Sequence, residues 1–347
     1  MKDEKGKKLI EYIKLVSPGT SLRLVIDDLA RSNLGAMIVF DSPELRASNI
    51  LDGGFKINAR FTAEKLFELC KMDGAIVVSS DMKRILYANV VLSPDSGYSS
   101  AETGTRHRAA ERTAKQAHTF VIAVSERRKK TTIYHNNIRY YVKSSGELLR
   151  DTSSTITILE IQREKLQEHR ANLNVLEMSE LVSVSDVCKV IQRSEMILKI
   201  SRSLKKNFTE LGKEGTIMRM RYRELIKGIE RSSEEILRDY AAIPLKKSRN
   251  ILENITFEGL LELETIARLI MEKGLDENVS PKGYRFLGRL TLSQKEISLL
   301  VKEFENLNGI LNAGSNDFEK ILRNRSSPIH EEIIHLREQI LNGKEVY

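Results

Sequence analysis

The segment Gly104–Ser125, "GTRHRAAERTAKQAHTFVIAVS", joins a cationic helix start to an apolar strand and decides the fold class of the N-terminal part of the chain. Its first part predicts a helix that Thr105 caps, with Arg106–Ala109 in the first turn. Its second part, "TFVIAVS" at Thr119–Ser125, is a β-branched run typical of a strand. Helical and strand patterns therefore alternate in this part of the chain.

Five other short apolar runs predict further strands of the same sheet. Only "SDMKR" separates the run at Gly74–Ser79 from the run at Ile85–Leu92. The run at Thr119–Ser125 and the two runs that follow it are separated only by "ERRKK" and "NN". Such short connections favour hairpins and antiparallel neighbours, so we expect a mixed sheet flanked by helices and disfavour a purely parallel doubly wound fold. The five runs are Gly35–Phe40, Gly74–Ser79, Ile85–Leu92, Thr131–Asn136 and Ile138–Lys143.

Beyond this sheet the sequence is helical. From about Asp151 to Asn278 the apolar residues recur with a helical period, and Pro281–Gly283 then opens a set of shorter helices. The pattern predicts an α+β multidomain protein: an α/β domain with a mixed sheet at residues 1–145, a central helical spine at 146–280 and a small helical domain at 281–347.

Charge, cysteine count and apolar runs indicate which partners, metal sites and location to expect. The 347 residues carry a net charge of +8, and residues 201–250 alone hold 13 basic and 7 acidic side chains. This excess fits either a polyanionic partner or a solvated helix face. Cys70 and Cys188 are too few for a zinc site and fit buried free thiols. Neither a signal peptide nor a membrane-spanning apolar run is evident, so we expect a cytoplasmic protein.

The first turn of the Gly104–Ser125 helix has an unusual charge. Acidic residues stabilise the N-terminal end of a helix, whereas Arg106 and Arg108 oppose the helix dipole. A bound phosphate would supply the missing negative charge, since guanidinium groups match phosphate oxygens bidentately. An ordinary solvated helix face explains the same residue types, and both interpretations stay open.

A second candidate element is Asp73-Gly74, which precedes the strand at Gly74–Ser79. Asp-Gly is a common turn pair, so a purely structural role is the simpler interpretation. In a functional role, the Asp73 carboxylate would bind a divalent metal that also holds substrate phosphates. Together with the cationic helix start it would form a site for nucleotidyl transfer. Neither a P-loop nor a Rossmann glycine motif is present.

These motifs resemble those of a known family. "DGA" at Asp73–Ala75 and "GTRHRAAER" at Gly104–Arg112 are similar to the two signature motifs of diadenylate cyclases, which condense two ATP molecules into cyclic di-AMP. The resemblance extends over Leu51–Val77, and "LVSVSDVCKVIQRSEMILKI" at Leu181–Ile200 resembles the helical linker of the DNA integrity scanning branch of that family. It covers most of the chain, up to about residue 290.

The resemblance implies roles for individual residues. Asp73 would bind magnesium or manganese and help to activate the ribose 3′-hydroxyl, while Gly74 and Leu92 would line the nucleotide pocket through their backbones. Ser125 and Arg128 would add phosphate contacts. The phosphate-binding helix start would consist of Thr105, Arg106, His107, Arg108 and Ala109. For His107 itself, a phosphate donor, a general base and a structural hydrogen bond all stay open.

The implied reaction requires paired subunits. Each ATP must present its 3′-hydroxyl to the α-phosphate of the other, so two half-sites must face each other, and a two-fold pairing of N-terminal domains is the minimal solution. The resemblance further implies a homo-octamer with face-to-face cyclase domains.

The last domain resembles the family's tandem helix-hairpin-helix module, which binds DNA without sequence preference. Its second hairpin departs from that pattern, because "LRNRSSP" at Leu322–Pro328 lacks glycine. We expect a cyclase coupled to sensing of DNA structure, whose last domain binds branched duplexes more tightly than linear ones. The alternative is a DNA-binding scaffold in which nucleotide occupancy only regulates assembly.

Overall fold

The computed structural model describes residues 10–343. It divides into two compact units, of which the first comprises Met1–Thr152 with Lys206–Ile217 and the second comprises Ser153–Lys205 with Met218–Tyr347. The three domains that the sequence predicts, with boundaries at 145 and 280, stay a prediction.

The described part of the first unit contains one sheet in the order β2-β5-β4-β1-β6-β7-β8, with β3 paired to β5. The strands are β1 (Ala36–Phe40), β2 (Leu51–Asp52), β3 (Phe55–Arg60), β4 (Ala75–Val78), β5 (Arg84–Leu92), β6 (Phe120–Val124), β7 (Thr131–His135) and β8 (Ile138–Val142). Helices α1 (Ser21–Arg31), α2 (Pro43–Ala47), α3 (Ala63–Leu69) and α4 (Thr105–Gln116) accompany them.

The sheet is mixed. Strands β1 and β4 are parallel, whereas β4 pairs with β5, β1 with β6, and β6, β7 and β8 with one another in antiparallel fashion. The hairpins expected from the short connections are confirmed, and so is the α+β class. Helices on both faces explain why the central strands are continuous apolar runs, because neither face is exposed to water.

Each face of the sheet has its own core. Ile38 and Ile122 point to the face covered by α1 and α3, and Val39 and Val121 point to the other face. There α4 packs through small residues, since Ala110 and Ala114 are fully buried one turn apart. This packing fixes α4 above β6 and β7 and thereby determines where its first turn lies.

Helices make up the second unit and its connections. In the longest helix, the buried residues Ile156, Leu159, Leu166 and Leu173 recur at helical spacing, as the sequence predicts. The helices are α5 (Ser145–Met178), α6 (Val184–Leu211), α7 (Thr216–Ile226), α8 (Ile229–Tyr240), α9 (Leu245–Asn254), α10 (Phe257–Leu261) and α11 (Leu263–Ile266), and α11 continues into a π-helical turn at Ala267–Met271.

Five short helices share a core near the C-terminus, built around Phe286, Leu300, Phe318 and Ile333. Asp239 of α8 holds the start of the first of them, because its carboxylate accepts hydrogen bonds from the backbone N–H groups of residues 283, 284 and 285. The helices are α12 (Tyr284–Leu287), α13 (Gln294–Phe304), α14 (Leu307–Asn312), α15 (Ser315–Leu322) and α16 (Ser326–Leu341).

The connection between α15 and α16 is a single 3₁₀ turn at Arg323–Arg325. Arg323 adopts φ 50° and ψ −123°, a conformation that favours glycine. Helix α16 begins at Ser326, so Pro328 lies in its first turn. Proline is tolerated there because the N–H groups of a first turn have no helical partner.

Two further expectations concern cysteines and membranes. Cys70 and Cys188 are free and buried, as predicted, and burial raises the pKa of each thiol to about 12. Within residues 10–343, no helix combines the length and the apolar character needed to span a bilayer.

Candidate functional site

Helix α4 presents an open N-terminus. Gly104 is its N-cap, with φ −83° and ψ 140°, and the helix begins at Thr105. The prediction that Thr105 caps the helix is therefore wrong, because Thr105 already lies in the first turn. Among the described residues no side chain caps this turn, and the turn itself contains no acid. Its backbone N–H groups and the positive end of the helix dipole are thus available to an anion.

A cleft of about 510 Å³ opens beside this turn, and cations dominate its lining. Two acids, Glu102 and Glu126, lie among them, and the predicted contact residue Ser125 lies at the end of β6. The cationic residues that line the cleft are Arg106, Arg127, Arg128, Lys130 and Arg139. Five cations and two acids, together with free amides, make the cleft suited to a strongly negative ligand.

Arg106 lies against Gly35, the residue that immediately precedes β1. A Cβ atom added to Gly35 would lie 2.0 Å from Arg106 Nη1, so any larger residue there would displace the guanidinium group. No sequence pattern predicted a role for Gly35. Its only signal is a glycine directly before the apolar run "AMIVF".

The other cations of the helix have a different role. Arg112 Nε donates to the carbonyl oxygen of Tyr98 at 2.9 Å, and Lys115 Nζ donates to that of Ser99 at 2.6 Å. Arg108 is exposed, and its Nε lies 3.3 Å from the carbonyl oxygen of Glu102. These three side chains hold the loop that precedes α4, and Arg106 is the arginine of the first turn that lines the cleft.

His107 belongs to a hydrogen-bonded network. Its Nδ1 lies 2.9 Å from Tyr134 Oη, which lies 2.6 Å from Glu102 Oε1, and Arg139 forms an ion pair of 2.8 Å with the same carboxylate. Burial and the nearby Arg106 lower the pKa of His107, although Glu102 opposes them. Burial and the bond to Glu102 raise the pKa of Tyr134. No sequence pattern predicted a role for Glu102, Tyr134 or Arg139.

The strand register brings Asp73 to the same edge of the sheet. Ala75 at the start of β4 pairs with Met37 of β1, and Met37 pairs with Ala123 near the end of β6. Neighbouring strands lie about 4.8 Å apart, so the Asp73-Gly74 turn and the end of β6 are separated by about 10 Å. Gly35, with Arg106 against it, lies between them because it precedes β1.

Gly74 and Leu92 also lie at this edge. Gly74 has φ +89°, and a Cβ atom there would come within 2.8 Å of the backbone of Asn89. Glycine is therefore needed at this position first of all because strand β5 approaches it closely. Leu92 ends β5, two residues after Val90, which pairs with Ala75, and its side chain is buried. Ala109 packs against the same core as Leu92. Any ligand contact of Leu92 would therefore use its backbone.

The donor set around Asp73 limits the kind of metal site. Asp73 is exposed, and residues 10–343 contain no group of three or more His, Cys, Asp or Glu side chains arranged to hold a metal ion. A protein cage is thus absent from the described chain. A single carboxylate fits a magnesium or manganese ion that keeps several waters and takes its other ligands from substrate phosphates.

Comparison with known proteins identifies the family of the chain. Residues 23–138 match the family described as DisA bacterial checkpoint controller nucleotide-binding, and residues 142–279 match the DisA linker region. The DNA integrity scanning protein DisA of Clostridium beijerinckii is 37% identical over 100% of this chain and 100% of its own length. This chain belongs to the DisA family.

Other DisA proteins match to a similar extent. The protein of Clostridium kluyveri is 37% identical over 98% of this chain and 99% of its own length. The crystal structure of DacA from Staphylococcus aureus, a double mutant, is 24% identical with a TM-score of 0.29 and covers 42% of this chain and 91% of that chain. The DisA nucleotide-binding match contains Asp73, Arg106 and every residue that lines the cleft except Arg139 and Tyr141.

Proposed function

We propose that this chain is a diadenylate cyclase that condenses two ATP molecules into cyclic di-AMP and releases pyrophosphate. The observation that carries the proposal is the shared sheet edge. Arg106 lies against Gly35 and lines the cationic cleft, and the exposed Asp73, which does not line that cleft, precedes the neighbouring strand β4 at the same edge. A nucleoside triphosphate with its bound magnesium or manganese ion matches both groups, because its phosphates bind cationic side chains and the metal ion binds a carboxylate.

The phosphates would occupy the N-terminal side of α4. The open backbone N–H groups of Thr105–His107 and the guanidinium of Arg106 donate to oxygens that gain negative charge in the transition state. Ser125 and Arg128 also line the cleft and would hold the same phosphates. Arg108 would act indirectly, because it holds the loop before α4 through the carbonyl oxygen of Glu102.

Asp73 would hold the magnesium or manganese ion together with the substrate phosphates. The bound ion would lower the pKa of a coordinated hydroxyl and neutralise phosphate charge. Gly74 and Leu92 lie at the same sheet edge, and their backbones would contact the nucleoside.

The reaction needs two copies of this site. In each step a bond forms between a 3′-oxygen and the α-phosphorus of the other ATP, the bond from that phosphorus to the β-phosphate oxygen breaks, and pyrophosphate leaves. Two such steps close the ring, so two sheet edges must face each other. A face-to-face dimer within a cytoplasmic homo-octamer would meet this need.

The C-terminal helices would bind DNA, as the name of the curated relatives, DNA integrity scanning protein, suggests. Within the second hairpin only part of the predicted charge is available, because Arg325 forms an ion pair of 2.9 Å with Glu296. Arg323 is exposed at the tip of the turn and is the stronger candidate for a phosphate contact.

The cyclase proposal is tested by incubating the purified chain with ATP and magnesium or manganese and separating the products by chromatography. We expect cyclic di-AMP from the wild type and a loss of at least about 100-fold in Asp73→Asn, because the metal ligand is removed without changing the size of the side chain. Asp52→Asn, an exposed aspartate on β2, is the matched control. Wild-type protein without product would overturn the proposal and favour a DNA-binding scaffold.

A further inference from the structure

The network around His107 defines the direction of its hydrogen bonds. Glu102 is ion-paired with Arg139, and an ionised carboxylate only accepts hydrogen bonds. The 2.6 Å bond from Tyr134 Oη to Glu102 Oε1 therefore uses the one proton of the tyrosine hydroxyl. Tyr134 Oη can then only accept from His107 Nδ1, 2.9 Å away.

This direction determines the tautomer of His107. A neutral imidazole has one protonated nitrogen, and a proton on Nδ1 leaves the lone pair on Nε2. Burial lowers the pKa of His107 and so favours the neutral form of the ring. Because Nδ1 is bonded to Tyr134, the nitrogen left for a ligand is Nε2, and His107 lines the cleft.

In this tautomer Nε2 carries no proton and cannot donate a hydrogen bond to a phosphate oxygen. Five cationic side chains of the cleft can already donate to phosphate oxygens. An unprotonated Nε2 is therefore useful only where the substrate must give up a proton. The substrate group that brings such a proton in the proposed reaction is the ribose 3′-hydroxyl.

We propose that Glu102 and Tyr134 are positioning residues that lock His107 in the Nδ1–H tautomer, so that Nε2 accepts the proton of the attacking 3′-hydroxyl. The inference rests on the proposed function and selects one of the roles open to His107. As the new O–P bond forms, the O–H bond breaks, the proton passes to Nε2 and pyrophosphate departs. The proton then returns to solvent before the next step.

The test combines a spectroscopic readout with kinetics on the full-length chain. Nitrogen-15 NMR of the histidine rings distinguishes the two tautomers, and comparison with His107→Gln assigns the signal among the six histidines. We expect the Nδ1–H form in the wild type and a mixture in Tyr134→Phe, which removes only a hydroxyl. The kcat of Tyr134→Phe should fall about 10- to 100-fold with little change in KM for ATP. Tyr98→Phe, in the exposed loop before α4, should match the wild type.

A second pair of variants guards against a folding defect. Glu102→Gln keeps a side-chain oxygen that accepts from Tyr134 and should retain the tautomer and most of kcat, whereas Glu102→Ala should lose both. The wild-type rate should decline at acid pH as Nε2 becomes protonated, and this decline should change in Tyr134→Phe.

The outcomes separate the two proposals. An Nε2–H tautomer in the wild type, or an unchanged kcat and pH profile in Tyr134→Phe, would overturn the positioning role while cyclic di-AMP still forms. Absence of cyclic di-AMP in the wild type would instead overturn the proposed function and with it the role of the proton acceptor.

Discussion

At the scale of single residues, the opening cationic cluster resolves into side chains with different tasks. Residue types alone leave Arg106 and Arg108 equivalent, since both lie in the first turn of α4. The structure separates them through their neighbours: Gly35 leaves space for Arg106 beside the cleft, and the carbonyl oxygen of Glu102 draws Arg108 toward the loop. Sequence patterns predicted the positive charge of this turn but not the different roles of its two arginines. Those roles depend on Gly35, which is distant in sequence, and on a backbone carbonyl oxygen.

Gly35→Ala provides a test at this scale. The added methyl group would displace the Arg106 guanidinium, the far end of a flexible side chain, while the backbone of Gly35 accommodates alanine. Losing a charged hydrogen-bond donor costs about 1.5–3 kcal/mol, so we expect kcat/KM for ATP to fall roughly 10- to 100-fold. The melting temperature should change little.

Gly146→Ala is the matched control, because the space around Gly146 is open within 4 Å. Its kcat/KM should equal that of the wild type. If Gly35→Ala were equally active, Arg106 would not need its place against β1, and its assignment to the phosphates would be wrong.

At the scale of secondary structure elements, the strands that the sequence identified form apolar runs, and four of them, β1, β4, β6 and β7, are buried along their whole length. Strands β2 and β3 escaped prediction because β2 has two residues and the residues of β3 are exposed or only half-buried, so neither forms an apolar run. The start of α4 was misplaced by one residue because Gly104 takes the cap position without a side chain. Packing that depends on distant strands determined these details.

The turn between α15 and α16 allows a test of DNA binding at this scale. Arg323 is exposed, whereas Arg325 is held by Glu296. We expect Arg323→Ala to weaken binding to branched and linear duplexes alike and to reduce the slope of log K against log salt by about one, because one phosphate contact is lost.

Arg325→Gln should leave that slope nearly unchanged, and circular dichroism should verify that both variants keep their helices. Fluorescence anisotropy with labelled four-way and linear duplexes measures the binding, and we expect the branched form to bind more tightly. An Arg323→Ala slope equal to that of the wild type would instead point to the basic residues of 201–250.

At the scale of the whole molecule, the proposed chemistry requires cooperation between subunits. Each sheet edge offers Asp73 and Arg106 to a nucleotide, and ring closure needs two such edges. Coexpression of wild-type and Asp73→Asn chains tests this requirement. If both half-sites must be intact, activity should follow the square of the wild-type fraction, about one quarter at equal amounts.

Activity that declines in linear proportion to the wild-type fraction would contradict the paired arrangement and indicate that each half-site works alone. Native mass spectrometry of the same mixtures should report the distribution of mixed assemblies. That measurement also counts the subunits and so tests the proposed octamer.

The most direct measurement is a crystal structure of the chain with magnesium and 3′-deoxy-ATP, which lacks the attacking hydroxyl and cannot react. We predict one nucleotide per chain at the shared sheet edge, with phosphate oxygens about 3 Å from the first-turn amides of α4 and from Arg106, and with the ion on Asp73 of the same chain. A nucleotide bound elsewhere, or one whose ion and ribose lie more than about 10 Å from Asp73, would contradict the account.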